Sequence, residues 1–179
     1  MNISQRGALP HGWQRFNLSV GGFCIRGCRW HARTRRIFFP FRYCKRRYRH
    51  RVIYAHGALV EQLRELLESG ETESPRDRRP CVLKIHGFGR SRSEEGWLIF
   101  DFTVRGFTIL GCRWLPHRGS IQLPVSFSFE DSGVRFRHVK KPVVCAYGAH
   151  IVRLRKALEA ELRRQEAPNY EAELVASDV

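Results

Sequence analysis

The chain has 179 residues, with 32 Lys or Arg against 17 Asp or Glu and a formal net charge of +15 at pH 7. Hydrophobic residues make up 42% and aromatic residues 12%, which excludes a disordered polyelectrolyte and leaves material for globular cores. No apolar run approaches the roughly 18 residues of a membrane helix, no hydrophobic signal core opens the chain, and six Cys are too few for a disulfide scaffold, so a cytoplasmic protein with mostly buried, free thiols is expected.

Residues 1–12 are polar and carry Gly7, Pro10 and Gly12, the composition of a loose lead-in or a short edge strand. From Trp13 onward Phe16, Leu18 and Val20 alternate with Arg15, Asn17 and Ser19, the period of a half-buried strand. Gly21-Gly22 marks a turn. The next strand, Phe23 to His31, is apolar on both faces and therefore central. His31 to Arg36 is a basic turn, Ile37 to Phe39 a third strand ended by Pro40, and Arg42 to Arg47 a basic loop. A fourth strand runs from Tyr48 to Tyr54, with Arg47, Arg49 and Arg51 on one face. Leu59, Val60, Leu63, Leu66 and Leu67 then form the stripe of an amphipathic helix, which Gly70 caps.

Residues 71–80 are charged and proline-bounded, a linker. Beyond it an opening strand covers Cys81 to Ile85, and Gly87 and Gly89 predict a turn. Trp97 to Val104 alternates again, and Phe107 to Trp114 is a second central strand. Pro116 to Gly119 is a turn, Ile121 to Pro124 leads the following strand, and Glu130-Asp131-Ser132-Gly133 predicts a hairpin turn. Ile151, Leu154, Leu158 and Leu162 place a helix over His150 to Arg164. The acidic tail, residues 166–179, is expected to be loose after Pro168.

The two halves repeat each other. Gly27-Cys28-Arg29-Trp30 recurs as Gly111-Cys112-Arg113-Trp114. Trp13, Phe16, Val20, Gly22, Phe23 and Ile25 recur as Trp97, Phe100, Val104, Gly106, Phe107 and Ile109. Arg47-Tyr48-Arg49-His50 answers to Arg135-Phe136-Arg137-His138, and Ala55-His56-Gly57-Ala58 to Ala146-Tyr147-Gly148-Ala149. A match of this length is the mark of an internal duplication. The expected fold is α+β: two tandem β-β-β-β-α units, residues 1–70 and 81–165, each an antiparallel sheet with one C-terminal helix. Exposed sheet edges invite pairing, so the two copies are expected to pair as a monomeric, pseudo-symmetric, dimer-like body.

Residues 1–60 hold thirteen Arg or Lys and no Asp or Glu, whereas Glu94, Glu95, Asp101, Glu130 and Asp131 dilute the charge of the second copy. Such an excess repels itself unless a polyanion neutralises it, and guanidinium groups fit phosphate bidentately. The candidate nucleic-acid-binding residues are Arg33, Arg35, Arg36, Arg42, Tyr43, Lys45, Arg46, Arg47, Tyr48, Arg49 and Arg51, with the two tyrosines open to base stacking. Trp13, Phe16, Phe23 and Trp30 are assigned to core packing. The ligand class is DNA or RNA; the competing class is an acidic or nucleic-acid-mimicking protein partner met by the same basic face.

Other chemistry finds little support. Cys24-x3-Cys28 with His31 has metal-like spacing, but Cys24 becomes Thr108 in the second copy and no further ligand pair stands near. Cys28 and Cys112 sit amid apolar neighbours as packing residues. His50 and His56 have no acidic residue beside them in sequence, and Tyr147 replaces His56 in the second copy. No catalytic residue, metal or cofactor is assigned, and the chain is expected not to be an enzyme.

Each unit resembles the SpoVG (septation regulator) family. The residues carrying the likeness are Phe107-Thr108-Ile109, Ile121-Gln122-Leu123-Pro124, Phe136-Arg137-His138-Val139-Lys140-Lys141-Pro142-Val143, the helix after His150, and the opening strand Cys81 to Ile85. The first copy matches less fully and lacks an equivalent of Pro142. The resemblance implies a small nucleic-acid-binding regulator paired through strands. The family's basic residues after the Pro correspond to Arg42, Lys45 and Arg46; Val125 to Glu130 replaces them in the second copy. The single-strand-binding coactivator fold, one helix on a curved four-stranded sheet, is a second resemblance.

Overall fold

The computed structural model describes residues 1–44, 48–55, 57–71, 82–91, 94–131 and 136–176. The chain is α+β, and the described residues form mostly antiparallel strands with two helices. β1 (Asn2–Ala8), β2 (Trp13–Val20) and β3 (Phe23–His31) form a meander, and β4 (Arg36–Phe38) pairs with the far end of β3. β5 (Phe41–Cys44) and β6 (Tyr48–Arg51) pair with each other, and β7 (Ile53–Tyr54) leads into α1 (Ala58–Ser69). The second half follows the same order. β8 (Leu83–Arg90), β9 (Leu98–Val104) and β10 (Phe107–Leu115) form a meander with β11 (Ser120–Gln122) on β10. β12 (Val125–Asp131) pairs with β13 (Phe136–Pro142), and β14 (Val144–Ala146) leads into α2 (Ala149–Ala176).

The halves exchange their last strands. β7 pairs with β10, placing Ile53 opposite Ile109 and Tyr54 opposite Thr108. β14 pairs with β3, placing Val144 opposite Ile25 and Cys145 opposite Cys24. β4 and β11 are short and cover only one end of each central strand, which leaves its other end with unpaired N–H and C=O groups. The strand arriving from the other half satisfies them.

The repeated Gly-Cys-Arg-Trp segment makes a β-bulge. The β2–β3 register slips between Phe16 and Leu18, and the β9–β10 register slips between Ile109 and Cys112. Gly27 and Gly111 hold φ of 79° and 71° there, left-handed backbone that glycine adopts without strain. Each freed amide donates to a side chain on the neighbouring strand: Gly27 N–H to Asn17 Oδ1 at 3.1 Å, and Gly111 N–H to Asp101 Oδ1 at 2.7 Å. After the bulge Cys28 and Trp30, like Cys112 and Trp114, turn into the core. Arg29 and Arg113 face outward.

One apolar core takes residues from both halves. Phe16, Ile25, Trp30, Val52 and Leu63 pack in one cluster with Phe100, Phe102, Ile109, Leu154 and Leu158. The Phe23 and Phe102 rings approach to 4.8 Å. α1 buries Leu63, Leu66 and Leu67, as its periodicity predicts, and ends at Gly70 in left-handed backbone. No described helix is long and apolar enough to cross a membrane.

Several elements differ from their sequence expectation. The lead-in takes the edge-strand form that its composition allowed, as β1, and is not loose. The predicted basic loop over Arg42 to Arg47 begins instead as strand: Arg42 and Tyr43 lie in β5, paired with His50 and Arg49. The predicted strand from Tyr48 to Tyr54 breaks at Val52, because β6 pairs with β5 while β7 crosses to β10. Gly87 and Gly89 lie inside β8, where a bulge between His86 and Gly89 replaces the expected turn. Glu130 and Asp131 end β12 rather than forming the turn. α2 continues through Pro168 to Ala176, so the tail expected to be loose is helical to that point. Its Glu and Ala residues are strong helix formers that outweigh one missing amide donor.

Candidate nucleic-acid interface

The outer face of the first sheet, opposite the core, carries a basic and aromatic surface. β2 contributes Trp13 and Arg15, β3 contributes Arg26, Arg29 and His31, and β4 contributes Arg36 and Phe38. Register aligns them in two rows. Arg15 faces Arg29, which faces Phe38; Trp13 faces His31, which faces Arg36. The Trp13 ring lies 4.8 Å from His31 and 5.2 Å from Phe38, the latter edge-on. Phe38 is 39% exposed, and Trp13 and His31 are half-buried.

Hydrogen bonds hold the His31 ring. Nδ1 accepts from the Thr34 amide at 3.2 Å, which leaves Nε2–H to donate to the His11 carbonyl at 3.1 Å. The ring therefore stands in a fixed orientation between Trp13 and the Pro10–Gly12 turn.

The electrostatics of this face are one-sided. Arg15 and Arg29 are direct cross-strand neighbours, an arrangement that destabilises a sheet when nothing offsets it. Among the described residues no acidic side chain ion-pairs with Arg15, Arg29 or Arg36. The same positions in the second half read differently. Ile99, 42% exposed, stands for Arg15, Leu115 for His31, Ser120 for Arg36 and Gln122 for Phe38. Arg113, which answers to Arg29, is ion-paired with Glu94.

The residues singled out from the sequence separate into groups. Arg36 lies on the basic face, and Arg33 is exposed in the turn before it. Arg35 is committed to the fold: its Nε bonds Glu68 on α1 at 2.6 Å, and its carbonyl accepts from Arg64. Arg42 and Tyr43 lie in β5, and Tyr48, Arg49 and Arg51 lie in β6, in the hairpin that follows β4 along the chain. Lys45, Arg46 and Arg47 lie outside the described residues. Trp13, assigned to the core with Phe16, belongs to the opposite face. An odd spacing between them in an alternating strand was the signal for this. The same parity separates Arg15 from Phe16 and Arg29 from Cys28, so Arg15 and Arg29 were readable as outward partners and were missed.

The metal-like spacing does not assemble a site. Cys24 is half-buried on the outer face, whereas Cys28 is sealed in the core. Burial pushes the Cys28 thiol well up, and burial followed by the nearby Asp101 carboxylate does the same to Cys112. No family model matches the chain, and neither a curated protein nor a solved structure matches it.

Proposed function

We propose that the protein is a non-enzymatic, regulatory nucleic-acid-binding protein that takes single-stranded DNA or RNA on the outer face of its first sheet. The observation that carries this is the Trp13–His31–Phe38 ring cluster framed by Arg15, Arg29 and Arg36. Arginines bond phosphate oxygens, and half-exposed rings stack on unpaired bases. Bases inside a duplex are already stacked and cannot reach them. The arginines of β5 and β6 extend the same charge along the chain.

The body presenting this face is a tandem duplication of a SpoVG-like unit, with seven strands and a C-terminal helix among the described residues of each half where four strands were expected, folded as a pseudo-symmetric dimer within one chain. The reciprocal pairing of β7 and β14 and the twin bulges at Gly27 and Gly111 support this. In this scheme the second copy, with its outer face neutral, completes the core while the first copy binds.

Affinities for random-sequence oligonucleotides, single- and double-stranded, DNA and RNA, test the proposal. Single strands should bind at least about tenfold more tightly than duplex, the worth of roughly one stacked base. Equal or tighter binding of duplex would remove the stacking role. Retention of the protein by polyglutamate but by no nucleic acid would replace the assignment with an acidic protein partner.

A further inference from the structure

Cys24 and Cys145 are direct partners in the β3–β14 register. They come from opposite halves of the chain. Their side chains share the outer face, because the adjacent pair, Ile25 and Val144, points into the core. The Arg26 amide donates to the Val143 carbonyl at 2.8 Å, while the Val143 amide donates to the Pro124 carbonyl, so Arg26 and Val143 stand at a hydrogen-bonding position of the ladder with one of its two bonds made. Two positions on, Cys24 and Cys145 are a pair of the same type, with Cα atoms about 5.5 Å apart. That separation lies within the range of disulfide-linked residues.

The two thiols lie at the joint between the halves, with Arg26 and Tyr147 close to them along the chain. Arg26 stands two residues from Cys24 on the same strand and faces outward with it. Its guanidinium donates to the Tyr147 hydroxyl at 3.4 Å. Cys24 is half-buried and Cys145 nearly covered, so an oxidant meets Cys24 first. The equivalent position of the other half holds Thr108 opposite Tyr54, with Thr108 hydroxyl-bonded to Thr103. The dithiol is thus specific to the joint between β14 and the first sheet.

We infer that Cys24 and Cys145 form an oxidation site that closes to a disulfide across the exchanged strand. With hydrogen peroxide as oxidant, the Cys24 thiolate attacks one peroxide oxygen and breaks the O–O bond. The departing hydroxide takes up a proton as water, and Cys24 is left as the sulfenic acid. The Cys145 thiolate then attacks the Cys24 sulfur and releases a second water. Two thiols and one peroxide give one disulfide and two waters. The bond ties the last strand of the second half to the central strand of the first, fixing the exchange covalently.

The test uses the full chain with Cys44→Ser and Cys81→Ser, which leaves four of the six cysteines. Treatment with hydrogen peroxide should remove two thiols without forming a covalent dimer, and peptide mass spectrometry should show Cys24 joined to Cys145. Cys28 and Cys112 should stay reduced, and the thermal midpoint should rise by several degrees. Cys24→Ser or Cys145→Ser in that background should abolish both the bond and the rise. Oxidation that stops at a sulfinic acid, links two chains, or persists intramolecularly in Cys24→Ser would overturn the inference.

Discussion

Replacing Arg15, Arg29 and Arg36 together by alanine will weaken binding to single strands of every sequence. Each guanidinium that meets a phosphate contributes about 0.7 to the log–log salt slope on single strands, so the triple variant should flatten that slope by about two units. At 0.1 M salt this corresponds to roughly a hundredfold loss of affinity. The fold should survive, because all three side chains are exposed, and relief of the Arg15–Arg29 repulsion should stabilise it slightly. Arg113→Ala, at the matching position of the second half, should leave the slope unchanged, since that charge is already paired with Glu94. Salt titrations of affinity for both variants decide the matter; an unaltered slope in the triple variant would move the site elsewhere.

The second large effect is on stability. Gly22→Ala introduces a Cβ only 2.1 Å from the His150 ring, at a φ of +87°. Left-handed backbone costs an alanine about 1–2 kcal/mol, and overpacking adds about 1–3 kcal/mol. A loss of about 3 kcal/mol should lower the thermal midpoint by roughly 10 °C in a chain of this size. His150→Ala in the same chain should remove the clash and leave the backbone strain, recovering about half of the loss. Gly106→Ala meets Leu59 Cδ2 at 3.0 Å, a contact a flexible side chain relieves, so it should cost less. Equal thermal midpoints for Gly22→Ala and the parent, or no recovery on removing His150, would contradict the packing of α2 onto the first half's turn.

The elements legible in the sequence were those written in local periodicity. The alternation around Phe16, Leu18 and Val20, the helix stripe of Leu63, Leu66 and Leu67, and the recurrence of Gly-Cys-Arg-Trp each follow from which side chains a strand or helix must bury. What stayed hidden depends on partners distant in the chain. Nothing local marks Ile53 and Tyr54 as belonging beside β10, or Arg42 and Tyr43 as strand rather than loop, because pairing supplies the hydrogen bonds that define them. Asn17 and Asp101 gave no sign of their part in the bulges, since any polar residue satisfies outward alternation. The basic face was half legible. The charge count locates it in the first 60 residues, but Arg15 and Arg29 lie outside the dense run that starts at Arg33. Those two are isolated in sequence and meet only when β2 and β3 align. Trp13 was misplaced because tryptophan in a strand is most often core, and only parity with Phe16 argues otherwise.

Photocrosslinking distinguishes the outer face of the first sheet from that of the second. A single-stranded oligonucleotide carrying 5-bromouracil, irradiated in complex with the full chain and mapped by mass spectrometry, reports which rings contact bases. Crosslinks are expected at Trp13, His31 and Phe38, and should be lost when Trp13 and Phe38 are both replaced by alanine. Crosslinks confined to Trp97 and the second half's outer face, with none on the first sheet, would contradict that placement of the binding face.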